Sequence, residues 1–234
     1  MKLLEWCLGI LYPQTCHFCG KICEKPICGE CLGKVTYIKE PRCMKCGKPI
    51  RYKEQEYCFD CQRKNFTYQQ GRSLWVHIGA VPWSIYQFKY HNRRVYGKFY
   101  ANELYRLYGN KIKEWNIDVI VPVPLHPRRK RVRGYNQAEI IAKNLSKMTG
   151  IPMEKNWIHR IRYTEAQKKL NNKERKKNLQ EAFAIRKIDE EYERVLLIDD
   201  IYTTGSTIET IAKQLLEKCN KKTWFLTISI GQDS

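Results

Sequence analysis

The sequence of 234 residues lacks several features, and each absence excludes a class of protein. No apolar run approaches the ~20 residues that a membrane-spanning helix needs. Residues 3–12, LLEWCLGILY, are apolar but short, and Glu5 interrupts them, so we expect a docked amphipathic helix rather than a secretory signal. The sequence also has no GxxxxGK[ST] motif, which excludes a P-loop nucleotide site. Together these absences favour a protein of the reducing cytoplasm without a membrane span.

Acidic residues are scarce relative to basic ones: 24 Asp and Glu stand against 43 Lys and Arg, a net charge of +19. The imbalance is concentrated in residues 71–190, which hold 26 basic and 10 acidic side chains. This segment is predicted to present a basic face to a polyanion such as nucleic acid. Ordinary solvated lysines and arginines would give the same composition, so the charge alone does not decide the function.

The cysteines do not have the pattern of a disulfide-bonded secreted protein. Their number, 11, is odd, and eight of them form four CxxC pairs, which is a metal-binding spacing. The predicted metal ligands are Cys16, Cys19, Cys28, Cys31, Cys43, Cys46, Cys58 and Cys61. Because four thiolates complete the tetrahedron of one Zn²⁺, the sequence predicts one or two structural zinc ions, with an iron–sulfur cluster as the rival interpretation.

The cysteine segment divides into two similar halves, Cys16–Cys31 and Cys43–Cys61. Pairing in chain order would place one metal in each half, although a cross-braced arrangement is also compatible with the spacing. Cys23 is a spare candidate ligand for the first site, whereas Cys7 and Cys219 lie on apolar helical faces and are expected to be core thiols. A segment with so few apolar runs needs such metal sites in order to fold.

Beyond residue 70 apolar strands alternate with helical patterns, which predicts an α/β fold with a mainly parallel sheet and flanking helices. The predicted strands are 74–81, 117–124, 182–186, 194–198 and 223–230, and the predicted helices are 82–91, 95–109, 136–149 and 207–219. The polar segment 160–179 is predicted as a mobile loop or an exposed helix. We therefore predict a small cysteine-rich zinc-ribbon module with an N-terminal helix over 1–70 and an α/β domain over 71–234.

The sharpest motif of the α/β domain is a buried strand, VLLI, followed by two acids and a hydroxyl-rich turn. Asp199 and Asp200 stand at the carboxyl end of this strand, where open α/β sheets bind ligands. The turn and the helix start that follow can hold a phosphate through backbone N–H groups and hydroxyls. The residues of this predicted cradle are Thr203, Thr204, Gly205, Ser206 and Thr207. The alternative is an ordinary strand–turn–helix with a Ser/Thr cap and no ligand.

This motif resembles the PRPP-binding loop of type I phosphoribosyltransferases. The resemblance implies that Asp199 and Asp200 contact the ribose 2′- and 3′-hydroxyls, that residues 203–207 hold the 5′-phosphate, and that Mg²⁺ accompanies PRPP. It also implies a type I phosphoribosyltransferase-like fold.

Residues 121–143, VPVPLHPRRKRVRGYNQAEIIAK, resemble the pyrophosphate-side loop as it occurs in the ComF family. In that resemblance Leu125, His126, Arg128 and Arg129 border the pyrophosphate. The arginine run, Arg128, Arg129, Arg131 and Arg133, could meet pyrophosphate or nucleic-acid phosphates, or could be a solvated charge run. His126 is expected to contact an anion or to form hydrogen bonds rather than to act as a base, and no catalytic residue is assigned.

Residues 160–178 also fit the ComF family, whose relatives close a hood loop over PRPP. Arg162, Thr164 and Gln167 are the predicted hood residues. The family is associated with competence, natural transformation and single-stranded DNA, which implies DNA as a partner and makes a DNA-uptake helicase a possible one. The alternative is an active phosphoribosyltransferase with an unidentified acceptor, and a PRPP-sensing regulator is a third option.

Several aromatic residues are interleaved with the basic ones, and their role depends on exposure. Exposed rings would stack on bases, whereas buried rings would belong to the core of the helices between 82 and 109. The residues concerned are Trp75, Trp83, Tyr86, Tyr90, Tyr96, Phe99 and Tyr100.

Overall fold

The computed structural model describes residues 14–162, 181–186, 188 and 190–232. Its helices are α1 (Gly29–Lys34), α2 (Phe59–Arg63), α3 (Val81–Tyr90), α4 (Tyr96–Glu114), α5 (Pro127–Arg133), α6 (Gln137–Thr149) and α7 (Ser206–Cys219). Its strands are β1 (Gln70–Val76), β2 (Val119–Pro122), β3 (Ile158–Arg160), β4 (Phe183–Ile185), β5 (Arg194–Tyr202) and β6 (Lys222–Ile230). The helix expected within residues 1–15 and most of the segment 160–179 lie outside the described residues. No helix within the described ranges is long and apolar enough to span a bilayer.

The main sheet has four parallel strands in the order β1-β6-β5-β2. Strand β5 pairs with β6 on one side and with β2 on the other, so its carboxyl end opens at the middle of one sheet edge. Its apolar run Val195–Ile198 is completely buried, as expected for a parallel strand covered on both faces. Strands β3 and β4 form a separate antiparallel pair.

The two faces of the sheet carry separate cores, because successive side chains of a strand point to opposite sides. Leu196 and Ile198 pack into the first core with apolar residues of α3, α4 and α6. Val195 and Leu197 pack into the second core with α7 and the β3–β4 pair. This confirms the predicted fold class, an α/β architecture whose mainly parallel sheet is flanked by helices.

Each cysteine-rich half contributes to a different core. Cys16, Phe18 and Cys31 belong to the first core, where the Phe18 ring meets the Trp75 ring edge-on at 5.3 Å. Cys43, Cys46 and Cys58 belong to the second core. The described halves therefore pack on the α/β core, and the domain division at residue 70 stays a prediction.

Several elements differ from expectation. Strand β3 was not predicted, α4 extends to Glu114 rather than 109, and β5 extends to Tyr202 rather than 198. Strand β1 runs over Gln70–Val76 rather than 74–81, and it ends early because the chain turns at Gly79, which adopts a φ of +58°. The arginine-rich segment expected as a loop contains helix α5, with Pro127 in its first turn and Gly134 at its end with a φ of +77°. The predicted end of the helical pattern over 136–149 is confirmed, since Gly150 caps α6 with a φ of +75°.

Candidate functional site

Two sets of four cysteines lie close together in space, and they follow chain order. Cys16, Cys19, Cys28 and Cys31 form one set, and Cys43, Cys46, Cys58 and Cys61 form the other; within each set all Sγ atoms lie within 4.8 Å of one another. A Zn–S distance of about 2.3 Å in a tetrahedron places sulfurs about 3.8 Å apart. The Cys19–Cys28 and Cys46–Cys58 separations are 3.8 Å and 3.6 Å, so both sets fit a structural zinc ion.

The two zinc sites repeat one backbone design. In each set the backbone carbonyl of the first cysteine accepts a hydrogen bond from a glycine N–H. Gly20 donates to Cys16 at 2.9 Å, and Gly47 donates to Cys43 at 3.0 Å. Both glycines have a positive φ, +76° and +80°, which closes the knuckle tightly. The described cysteines contain no disulfide. Cys23 is not in the first set; its thiol donates to the Lys25 carbonyl.

The predicted acid pair stands at the carboxyl end of β5 as expected. The Asp200 N–H donates to Asp199 Oδ1 at 2.8 Å, and both carboxylates are only partly exposed. Burial, and then the neighbouring charge of Asp200, raise the pKa of Asp199 to about 7. The carboxyl of Asp199 is therefore partly protonated near neutral pH and suited to hydrogen bonding with a polar ligand.

A lysine from α3, which was not predicted, completes this part of the site. Lys89 Nζ lies 2.9 Å from Asp200 Oδ1, and the two side chains are only 17% and 14% exposed. His77 lies near both groups. Burial, and then the charge of Lys89, lower its pKa, and the charge of Asp200 opposes this only in part. Its Nδ1 is 2.9 Å from Ser229 Oγ of β6. The sheet edge thus brings together carboxylates, an ammonium and an imidazole.

The hydroxyl-rich turn lies directly beyond the acid pair. Gly205 has a φ of +76° and precedes α7, and the side chains of Thr203, Thr204 and Ser206 are exposed. Thr204 Oγ1 and Ser206 Oγ are 2.7 Å apart, so two hydroxyls converge beside the N-terminus of a 14-residue helix. Helix N-termini of this kind offer N–H donors to anions, so the turn is a candidate phosphate site.

The turn rests on a buried pair of tyrosines. Tyr202 stacks on Phe225 with ring centroids 4.8 Å apart, and its hydroxyl is 2.7 Å from that of Tyr68. Lys45, between two zinc ligands, lies 5.5 Å from the centre of the Tyr68 ring. The second zinc ribbon therefore supports the floor of the candidate phosphate turn.

Two of the predicted pyrophosphate-side residues, Leu125 and His126, line a cleft of about 670 Å³ together with β3 residues that include Arg160. The other two, Arg128 and Arg129, line a separate concavity on α5. Arg160 of β3 interacts electrostatically with both Asp199 and Arg129. His126 Nδ1 accepts from the Arg128 N–H at 3.2 Å, which makes this histidine the N-cap of α5.

Helix α5 displays the predicted nucleic-acid-binding arginines. Arg128 and Arg131 are exposed, and Arg129 and Arg133 are partly exposed. The guanidinium of Arg133 lies 4.8 Å from the centre of the Tyr90 ring. Of the predicted hood residues, Arg162 is described and stands next to the β3–β4 pair, whereas Thr164 and Gln167 lie outside the described residues.

The structure divides the interleaved aromatic residues into two groups. Trp75, Tyr96 and Tyr100 are at most 2% exposed and belong to the first core, with Phe99 packed against it. Trp83, Tyr86 and Tyr90 are 39%, 51% and 54% exposed. Cys219 is partly buried against the second core, as expected of a core thiol, and Cys7 lies outside the described residues.

Comparison with known proteins adds independent findings. A family model described as a double zinc ribbon domain matches residues 7–62. The chain is 33% identical over 193 residues to Competence protein F of Haemophilus influenzae, spanning 80% of this chain and 84% of that protein. It is 30% identical over 195 residues to DNA utilization protein YhgH of Escherichia coli, spanning 81% and 84%. It is 26% identical over 202 residues to Competence protein ComFC of Bacillus subtilis, spanning 83% and 80%.

Proposed function

The chain belongs to the ComF family, and from that premise we propose that it binds a phosphorylated ribose such as PRPP and handles single-stranded DNA in natural transformation. The observation that carries the ribose part is the acid pair of β5 beside the glycine turn of α7. The printed names of the relatives, which refer to competence and DNA utilization, support the DNA part.

The geometry supports a ligand with hydroxyls at one end and a phosphate at the other. Asp199 and Asp200 are acceptors that would repel a phosphate but can receive hydrogen bonds from ribose hydroxyls. A few residues further along the chain, the hydroxyls and N–H groups around Gly205 offer donors to a 5′-phosphate. The separation of acceptors from donors matches the polarity of a ribose 5-phosphate.

A pyrophosphate on the same ribose would extend toward His126 and Arg129. Arg160 of β3, which interacts electrostatically with Arg129 and Asp199, would add positive charge there. Mg²⁺ prefers carboxylate and phosphate oxygens, so it would accompany PRPP. Arg162 stands at the base of the proposed hood, to which Thr164 and Gln167 are also assigned.

The charge distribution supports the DNA part. The arginines of α5, residues 128, 129, 131 and 133, supply exposed or partly exposed guanidinium groups for phosphates. The protein is proposed to act in the cytoplasm, where a DNA-uptake helicase would be a suitable partner.

An active phosphoribosyltransferase is the second candidate, because the acid pair and the cleft beside it would also suit transfer of ribose 5-phosphate to an acceptor. The two candidates differ in turnover. An enzyme would release pyrophosphate from PRPP with some base or nucleotide acceptor, whereas a binding factor would retain PRPP intact over hours.

The ribose assignment is tested by calorimetric titration of Mg²⁺ and PRPP into the zinc-loaded protein. The double variant Asp199→Asn/Asp200→Asn should lose binding by at least about 100-fold, since hydrogen bonds to charged groups contribute about 1.5–3 kcal/mol each. The variant Glu114→Gln/Glu217→Gln neutralises two carboxylates on exposed helix surfaces and should bind like the wild type. Equal affinities for all three proteins would refute the assignment.

The DNA part is tested by anisotropy of a labelled oligo(dT) across a salt series, with and without Mg²⁺ and PRPP. If about six phosphates are neutralised, log K should fall with log salt at a slope of about −4. Absence of binding even at low salt would refute the DNA part and favour the search for an acceptor that releases pyrophosphate.

A further inference from the structure

Helix α3 exposes a row of aromatic rings on the side that faces away from the core. Trp83, Tyr86 and Tyr90 follow one another at spacings of three and four residues, so they share one helical face. The opposite face, which includes Ile85 and Phe88, is buried and anchors the helix in the first core. The exposed rings are therefore held on a rigid support.

Contacts around the row keep the rings in place. The Tyr86 and Tyr90 ring centroids are 5.0 Å apart, and Arg133 Nη2 donates to Tyr90 Oη at 3.0 Å. At the other end, an added Cβ on Gly20 would lie 3.4 Å from Trp83 Cη2, so this indole rests against the first zinc ribbon. The row thus extends from that ribbon to α5.

A concavity of about 610 Å³ continues the row onto α5. The residues that line it are Tyr90, Arg128, Arg129, Arg131, Val132 and Arg133. Every charged residue in this lining is an arginine, and Val132 is 86% exposed. Such a surface combines π-faces with closely spaced guanidinium groups, which is the chemistry that receives bases and phosphates together.

We propose that α3 and α5 form a base-stacking platform for single-stranded DNA, in which the rings of Trp83, Tyr86 and Tyr90 stack on bases while the α5 arginines contact the phosphates. This inference rests on the DNA part of the proposed function and assigns it a place. A single strand is the fitting ligand because its bases can leave their stack and meet a ring, whereas duplex bases remain covered by their neighbours.

The platform and the ribose-phosphate site share α3. Lys89 lies between Tyr86 and Tyr90 in the sequence and pairs with Asp200 at 2.9 Å. A strand on the platform would thus lie on the helix that also supplies the cation of the acid pair.

Salt-dependent binding of a labelled oligo(dT) separates the two roles. Tyr86→Ala/Tyr90→Ala should weaken binding at least tenfold at every salt concentration while the slope of log K against log salt stays the same, because stacking releases no counterions. Arg131→Gln/Arg133→Gln should make the slope less steep by about 1.4, since each phosphate contact on a single strand contributes about 0.7.

Three further variants serve as controls. Tyr86→Phe/Tyr90→Phe retains both rings and should bind within about threefold of the wild type. Tyr86→Leu/Tyr90→Leu retains apolar bulk but no ring, and should lose binding like the alanine variant. Tyr105→Ala removes an exposed tyrosine from α4 and should have no effect. Thermal melting verifies that each variant is folded.

The outcomes distinguish failure of the stacking platform from failure of DNA binding itself. If the wild type binds oligo(dT) and the alanine and leucine variants bind equally well, the platform is refuted while DNA binding stands. If the wild type does not bind at low salt, the DNA part of the proposed function fails as well. A marked preference for oligo(rU) over oligo(dT), lost in the alanine variant, would retain the platform but overturn DNA as its ligand.

Discussion

Loss of the ion pair between Lys89 and Asp200 should destabilise the fold. Replacing Lys89 with Met removes the cation and retains a side chain of similar length. Asp200 then stands next to Asp199 without the ammonium 2.9 Å away, in a position that is only 14% exposed. In the variant no cation at this position offsets the repulsion between the two carboxylates.

The expected size follows from the burial of the pair. Unit charges about 4 Å apart attract by about 4 kcal/mol at an effective dielectric constant near 20, and desolvation offsets much of this gain. Removing one partner of a buried pair costs about 3–5 kcal/mol. Because both side chains keep some exposure, we expect Lys89→Met to lower the free energy of unfolding by about 2–3 kcal/mol.

A double-mutant cycle measures the interaction itself. Urea unfolding of Lys89→Met, Asp200→Asn and the combined variant should give a destabilisation in the combined variant that is at least about 1 kcal/mol smaller than the sum of the two. The loss of unfolding free energy caused by Lys89→Met should also be larger at pH 8 than at pH 5.5. At pH 8 the carboxylate of Asp199 is ionised as well, because its pKa is about 7, so the variant leaves two neighbouring charges without a cation. Strict additivity, or a loss independent of pH, would refute the ion-pair interpretation.

Three further predictions concern the turn, the metal sites and the acid pair. Gly205→Ala should destabilise the protein by about 2–3 kcal/mol and abolish ribose-phosphate binding, because the added methyl would collide with the Tyr202 hydroxyl in a residue with a φ of +76°. Gly150→Ala, with a φ of +75° and open space around it, should lose only about 1 kcal/mol in the same urea titration. Cys43→Ser should halve the zinc content measured by atomic emission and lower Tm, whereas Cys23→Ser should leave both unchanged; equal zinc loss in the two would contradict the ligand sets. Asp199→Asn should raise Tm relative to the wild type by a few degrees, and the difference should grow from about pH 4 to pH 7 and then level off. The reason is that this carboxyl ionises near pH 4 in the unfolded chain, whereas burial raises its pKa to about 7 in the folded protein, so folding must take up a proton between these two values. A difference that shrinks with pH in differential scanning calorimetry would contradict this.

Much of the architecture could be predicted because its signals are local in the sequence. The run Val195–Ile198 is continuously apolar, and the acids and glycine that follow it leave few alternatives to a strand, a turn and a helix. The CxxC spacing likewise predicted the zinc ligands, since each knuckle forms within a few residues. The choice between sequential and cross-braced pairing was not local, and the structure resolves it in favour of chain order.

The features that escaped prediction depend on contacts between distant segments. Lys89 reaches Asp200 only because α3 packs beside the end of β5, and no spacing within either segment indicates this contact. Helix α3 is aromatic on both faces, so periodicity could not tell the buried Phe88 from the exposed Tyr86 and Tyr90. Helix α5 was not predicted because its sequence is mostly charged and shows no apolar periodicity. Pro127 and Gly134 are nevertheless residues that commonly begin and end a helix.

The central claim is that Asp199 and Asp200 hold the hydroxyls of a ribose whose 5′-phosphate lies on the turn at Gly205. Calorimetric titration of ribose 5-phosphate and 2-deoxyribose 5-phosphate tests it most directly, because the two ligands differ by a single hydroxyl. The wild type should prefer the ribose compound by at least about tenfold, the value of one hydrogen bond to a charged group, and Asp199→Asn/Asp200→Asn should lose most of this preference. Equal affinity of the wild type for both compounds, or a preference that survives unchanged in the double variant, would contradict the account.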